Sequence, residues 1–182
     1  MKTKSEFRPQ SFAVVGAGPV GCIVAAFLAQ GGHEVILCDV ISDLLLPAAD
    51  PGIIIEGAEN LQAKVTRTCS NIDELAGHDP DVIFITVKAN ALPLIASAIE
   101  GFYRDGMYIV SWQNGIDTEL ELSTVLGKVP VMRAVVNYGC GLVGPAHVAM
   151  PFHHPPHYIQ ELAPESQDAA RTIADALSKS GL

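Results

Sequence analysis

The sequence contains no long apolar run, nothing near the roughly 18 consecutive apolar residues that cross a bilayer, which argues against an embedded helix and a membrane role. Basic residues are scarce, 11 Lys and Arg against 20 Asp and Glu, for a formal net charge of -9. Such a surface repels phosphate backbones, so nucleic acid is an unfavourable partner and small molecules or another protein are favoured. The four cysteines, Cys22, Cys38, Cys69 and Cys140, are scattered with no C-x-x-C pair. That pattern argues against a disulfide scaffold and suits reduced thiols filling core space in a cytoplasmic protein. The opening residues hold Lys2, Lys4, Glu6 and Arg8 but no apolar segment, so residues 1–11 read as a flexible arm and not as a secretory signal. There is no internal repeat, no low-complexity tract, no G-x-S-x-G elbow, no P-loop lysine and no paired-carboxylate pattern.

What is present is apolar and glycine-punctuated. With 182 residues and 49% hydrophobic composition, the chain fits one domain whose strands are buried on both faces. The stretch from Phe12 to Asp39 organises it. Phe12 to Val15 is a short β-prone run, followed at once by Gly16-Ala17-Gly18-Pro19-Val20-Gly21 with G-x-G-x-x-G spacing. Gly16 permits the tight turn, Gly18 lets backbone approach a diphosphate, and Gly21 lets the helix lie close to the sheet. Pro19 suits the first helical turn. The helix through Gln30 places Val20, Ile23, Val24, Phe27 and Leu28 on one apolar stripe, and Gly31-Gly32 stops it. Its N-terminal amides and dipole suit a diphosphate. Val35 to Leu37 form the next strand, and Asp39 at its end suits the hydroxyls of an adenine ribose.

Farther along, residues 40–51 read as a loop with Leu44-Leu45-Leu46 packed beneath it, and Gly52 to Ile55 with Ala63 to Thr66 as a hairpin or irregular pair around Glu56 to Asn60. Ile72 to Leu75 resemble a short helix. Val82 to Val87 is the most strand-like run in the chain, with Lys88 directly after it. A helix over 91–100 and a strand over 107–112 follow, the latter leading into Gln113-Asn114-Gly115. Asp117 is a candidate N-cap for a helix to Leu126, Val131 to Val136 give another strand, and Asn137-Tyr138-Gly139 leave it. Short antiparallel edge strands and a helix capped by Ser166 close the chain. This order predicts an α/β, Rossmann-like, doubly wound and mainly parallel sheet over residues 12–182, with helices on both faces and strand order 3-2-1-4-5-6. The ends of the strands before Lys88 and Asn114 then share one crevice edge.

Three features together resemble the ketopantoate reductase family, the 2-dehydropantoate 2-reductases of pantothenate biosynthesis: Gly16 to Gly21, Thr86-Val87-Lys88-Ala89, and Gln113-Asn114-Gly115. The resemblance covers residues 12–182. It implies that Gly16, Ala17, Gly18, Pro19, Val20 and Gly21 hold the cofactor diphosphate, that Lys88 and Asn114 contact both cofactor and a small branched 2-keto acid, and that Gly139 lies beside the cofactor. The residue chemistry agrees, since an ammonium offsets a carboxylate or phosphate and a carboxamide both donates and accepts. The bland alternatives are a solvated strand-end charge and a turn former.

The sequence departs from that family twice. NADPH-using members carry an arginine just past the second strand, whereas Cys38-Asp39-Val40-Ile41 has no basic residue, so NAD(H) is expected over NADP(H). The family's helical C-terminal domain, with its general-acid lysine and a glutamate, has no counterpart before Leu182. The chain is thus expected to be either the cofactor-binding part of a two-domain reductase, inactive or nearly so alone, or one whose site a separate polypeptide completes. A docking face for that missing part also implies self-association. The rival from another class is a noncatalytic dinucleotide-sensing module, and the closest enzymatic rival is a β-hydroxyacid or opine-type dehydrogenase. His153-His154-Pro155-Pro156-His157 lacks a recognisable ligand spacing, so it reads as a loop of solvated histidines and no metal is expected.

Overall fold

The computed structural model describes residues 7–182. In chain order the elements are β1 (Ser11–Val15), α1 (Pro19–Gln30), β2 (Glu34–Cys38), α2 (Ser42–Pro47), β3 (Ile53–Gly57), β4 (Leu61–Ala63), β5 (Arg67–Cys69) and β6 (Val82–Ile85). There follow α3 (Leu92–Glu100), β7 (Tyr108–Ser111), α4 (Thr118–Leu126), β8 (Val131–Val135), β9 (Tyr138–Gly144), β10 (His147–His153), β11 (Tyr158–Glu161) and α5 (Gln167–Lys179). Of the arm expected over residues 1–11, residues 1–6 lie outside the described residues. The rest is fastened: Phe7 packs edge-on against Tyr108, the Gln10 amide donates to Asp81 Oδ2 at 2.8 Å, and Ser11 already belongs to β1.

Seven strands form the main sheet in the order β11-β8-β7-β6-β1-β2-β5. All neighbours are parallel except β11, which runs antiparallel to β8. With β5 as the third parallel strand this is the expected 3-2-1-4-5-6 order, extended by one antiparallel edge. Strand residues alternate between two cores. Phe12, Val14, Phe84 and Val110 face α1 and α5, while Ala13, Val15, Ile83 and Ile109 face α3 and α4. Burial on both sides explains why these strands read as unbroken apolar runs.

Of the short antiparallel strands expected after β8, β11 edges the main sheet as expected, but β9 and β10 belong to another sheet. β9 and β10 pair antiparallel, but β10 also runs parallel to β3, and with β4 they make a separate sheet ordered β4-β3-β10-β9. This second sheet covers the outer side of α1, so Ile53, Ile55, Val148 and Met150 share one core with Ile23, Val24 and Phe27. Every α1 residue from Gly21 to Leu28 is buried, not a single stripe. A helix without one charged residue is what two covering layers require.

Three local expectations are also corrected. The leucine loop is helix α2, with Leu45 buried and Leu46 exposed, because three consecutive leucines turn only part of their surface inward. Asp117 precedes α4 but takes a left-handed backbone (φ 61°) and its side chain makes no capping bond. Ser166 precedes α5, yet its hydroxyl donates to the Val129 carbonyl instead of capping.

Candidate nucleotide-binding crevice

Between β1 and α1 the chain turns sharply. Gly16 has φ +114°, a region L side chains avoid, and its N–H donates to the Cys38 carbonyl at 2.8 Å. A Cβ on Gly21 would overlap the Gly16 carbonyl and stand 2.7 Å from Thr86 Oγ1, so α1 lies against the turn as closely as glycine permits. Gly18 is the opposite case: a Cβ there would meet nothing within 4 Å. Open space beside backbone at a helix N-terminus is the shape a diphosphate needs. The first intrahelical bond is Cys22 N–H to the Gly18 carbonyl at 2.9 Å, so the N–H groups of Val20 and Gly21 have no acceptor within the helix. No side chain caps this end and its first turn holds no acidic residue.

Thr86, directly after β6, fastens the turn from the other side. Its hydroxyl lies 2.9 Å from the Val15 carbonyl and 3.0 Å from that of Gly16. Sequence reading places Thr86 in a motif but assigns it no role; a small hydroxyl residue just past a buried strand was the available signal. Asp39 braces the same turn from β2. Its Oδ2 accepts from Ala17 N–H at 2.7 Å and its Oδ1 from Ile41 N–H at 2.9 Å. Each carboxylate oxygen keeps a second lone pair for a further donor.

A cavity of about 310 Å³ opens next to Asp39, between the end of β2 and α3. Its walls include Val15, Val40, Ile72, Val87, Leu94 and Ile95, an apolar slot fit for a flat ring system. No Lys or Arg lines it. Lys64 pairs with Asp50 at 2.7 Å, and Arg67 leans toward Glu34 at the start of β2, 3.8 Å away, while the exposed Lys88 directly follows the lining residue Val87. Burial above all, with the Asp39 charge adding to it, pushes the Cys22 thiol up to about 12. Burial likewise drives Cys38 to about 12, so these thiols remain protonated core groups.

Ile85 of β6 and Ser111 of β7 are register partners, so Lys88 and Asn114 leave the carboxyl ends of neighbouring parallel strands. Both are exposed. The two loops are joined by the buried Gln113, whose Nε2 donates to the Val87 carbonyl. Gly139 lies on β9, where a Cβ would come within 2.6 Å of the ring of Phe152, itself 42% exposed.

Of the histidines expected in a solvated loop, His154 is exposed in irregular chain, but His153 and His157 are partly buried and bonded. The His153 side chain is 6% exposed, and its Nδ1 lies 3.0 Å from Glu59 Oε1. Its Nε2 lies 3.0 Å from His157 Nε2, and His157 Nδ1 accepts from Asn137 N–H at 3.0 Å. The Asn137 amide can only donate, so neutral His157 carries its proton on Nε2 and passes that hydrogen bond to His153, which in turn donates to Glu59. Burial, with His153 beside it, holds His157 below its ordinary value. The second sheet creates this burial by bringing the turn after β3 against the end of β10.

A 3-2-1-4-5-6 parallel sheet, a glycine turn opening onto a helix N-terminus, and an acidic residue ending the second strand define the class of Rossmann-type α/β folds. Within that class, the family model for ketopantoate reductase PanE/ApbA matches residues 12–163. The chain belongs to the ketopantoate reductase family. A 2-dehydropantoate 2-reductase of Archaeoglobus fulgidus is 29% identical over 96% of this chain and 55% of its own length. Among solved structures, a PanE/ApbA family ketopantoate reductase from Ralstonia eutropha superposes with TM-score 0.76 at 28% identity, over 94% of this chain and 54% of that one. A D-mandelate dehydrogenase in complex with NADH and anilino(oxo)acetate superposes with TM-score 0.81 at 25% identity, over 94% and 55%. The chain spans about half the length of the relatives it matches.

Proposed function

We propose that this chain is the cofactor-binding part of a nicotinamide-dependent reductase that converts a small branched 2-keto acid, such as 2-dehydropantoate, to its 2-hydroxy acid. The observation that carries the reading is the open space at Gly18 beside helix amides with no intrahelical acceptor, on a turn held by Asp39, which itself borders an apolar slot. The diphosphate belongs on the amides of the Gly16 to Gly21 turn, the adenine in the slot, and the adenine ribose hydroxyls on the free lone pairs of Asp39. Lys88 and Asn114 then flank the nicotinamide end. There the Lys88 ammonium holds the carboxylate or carbonyl oxygen of the keto acid, and the Asn114 carboxamide bonds a ribose hydroxyl or the substrate oxygen. The bound cofactor supplies the hydride. Protonation of the substrate oxygen needs an acid, which this reading assigns to a companion helical part of the kind the family resemblance implies, joined as a further domain or a second chain.

NADH is favoured over NADPH. A 2′-phosphate beside Asp39 meets a like charge, with no guanidinium or ammonium among the residues lining the slot, and the D-mandelate dehydrogenase relative is described with NADH. Unpaired thiols suit the reducing cytoplasm, and no helix among the described residues is long and apolar enough to cross a membrane. Titration calorimetry with NADH, NADPH and ADP-ribose tests the assignment. Binding of NADH and ADP-ribose with clearly weaker NADPH is expected, and a folded chain that takes up none of them refutes it.

A further inference from the structure

The loop bearing Asn114 is held by a buried chain of hydrogen bonds whose direction can be read. Arg133, on β8, is the only charged donor in it. Its Nη1 donates to Thr118 Oγ1 at 2.6 Å and to Glu119 Oε2 at 2.8 Å, and its Nη2 donates to the Gly115 carbonyl at 2.8 Å. The Val87 carbonyl can only accept, so Gln113 turns its amide there and its Oε1 toward Ser111, 3.4 Å away, whose one proton is spent on it; Ser111 Oγ therefore accepts from Thr118 Oγ1, 2.8 Å away. Ser111, Gln113 and Thr118 are 0%, 7% and 3% exposed, so no water competes for these groups. The chain therefore starts at a fixed positive charge and ends on the residue before Lys88. It also grips Asn114 on both sides, through the Gln113 side chain and the Gly115 carbonyl.

We infer that Gln113 and Arg133 are positioning residues that set the spacing of Lys88 and Asn114 and thereby the seat of the nicotinamide half of the cofactor. This rests on the reading of the crevice given above. Neither side chain reaches solvent freely or needs to touch a ligand; each acts through the loop it holds. A buried Gln whose amide leaves its own strand end for the neighbouring loop would otherwise be an expensive way to fill space that Leu or Met fills without unpaired polar atoms. The Arg133 and Glu119 side chains are likewise only 21% and 15% exposed, a placement that favours a fixed geometry over a solvated ion pair.

ADP-ribose, which carries the diphosphate and both riboses but no nicotinamide, separates this role from a general structural one. Affinities for NADH and ADP-ribose are measured for the wild-type chain and for Gln113→Met, Thr118→Val and Arg133→Met. The first two substitutions keep side-chain volume while cutting the hydrogen-bond chain at different links. Val87 also walls the slot beside Asp39, so ADP-ribose affinity is expected to fall by up to about twofold, while NADH weakens more, by roughly five- to tenfold, the equivalent of one ordinary net hydrogen bond. Unchanged NADH binding in Gln113→Met and Thr118→Val overturns the inference, as does parallel loss of both ligands in all three variants. Wild-type protein that binds ADP-ribose but holds NADH no tighter overturns it too, and leaves the nucleotide site intact. Wild-type protein that binds neither removes the underlying reading along with the inference.

Discussion

Replacing Gly18 and Gly21 by alanine, one at a time, should separate binding from folding within a single turn. Gly18 has φ -70° and ψ -179°, a backbone any L residue adopts, and a Cβ there meets nothing within 4 Å. The methyl group therefore costs the fold little, within about 1 kcal/mol for a glycine-to-alanine change at an N-cap. It does stand where a diphosphate oxygen must approach the α1 amides. Displacing one charge-assisted hydrogen bond is worth about 1.5–3 kcal/mol, so NADH affinity should fall at least about tenfold. At Gly21 the same methyl overlaps the Gly16 carbonyl and lies 2.7 Å from Thr86 Oγ1, and both are held by further bonds. Either α1 withdraws from the sheet or the turn distorts. Overpacking of this kind costs about 1–3 kcal/mol, and at about 2–4 °C per kcal/mol for a chain of this size Tm should drop by roughly 2–12 °C. The assays are thermal unfolding for stability and NADH titration followed by the fluorescence of Trp112, the single tryptophan, which lies next to Gln113. If Gly18→Ala binds NADH as tightly as wild type, or if Gly21→Ala is as stable as wild type, the assignment of the turn is wrong.

The other expectations concern the rest of the crevice and its support. Val40 is 83% exposed, so Val40→Arg costs the fold little, while Asp39→Asn gives up one of its two backbone acceptors at about 1–2 kcal/mol; together they should shift the NADPH to NADH affinity ratio upward by about tenfold, by removing a like charge and adding a guanidinium, and an unchanged ratio in calorimetry argues against Asp39 as the discriminator. Thr86→Val removes the hydroxyl from the Val15 and Gly16 carbonyls and should cost about 1–2 kcal/mol in denaturant unfolding; no loss would mean the hydroxyl is replaceable. For pH, burial holds His157 and His33 below their ordinary 6.5. The unfolded chain then binds more protons as pH falls through that value, so stability is full above it and declines toward the depressed folded values. Tm should therefore decrease from about pH 7 to about pH 5.5, and His157→Gln should flatten the decline in part, His33 retaining the remainder. A slope unchanged by that substitution would exclude His157 as a contributor.

Much of the nucleotide crevice was legible in the sequence because its determinants are local. A glycine that needs φ +114° must follow the strand at once, the helix must open within the same turn, and Asp39 must end the next strand; such constraints act between residues close in sequence, where spacing can be read. The parallel order of the main sheet follows the same way from alternating strands and helices. What spacing could not reveal depends on residues distant along the chain. The second sheet exists because β10 finds β3, and only that pairing buries all of α1 and brings Glu59 to His153, 94 residues apart. A histidine loop therefore reads as solvated until its partner arrives from another hairpin. Gln113 and Arg133 are similar: one looks like a turn residue and the other like a strand-surface charge. Only the folded sheet lays the Val87 and Gly115 carbonyls within their reach, because hydrogen-bond partners are selected by distance in space and leave no periodic mark on the chain.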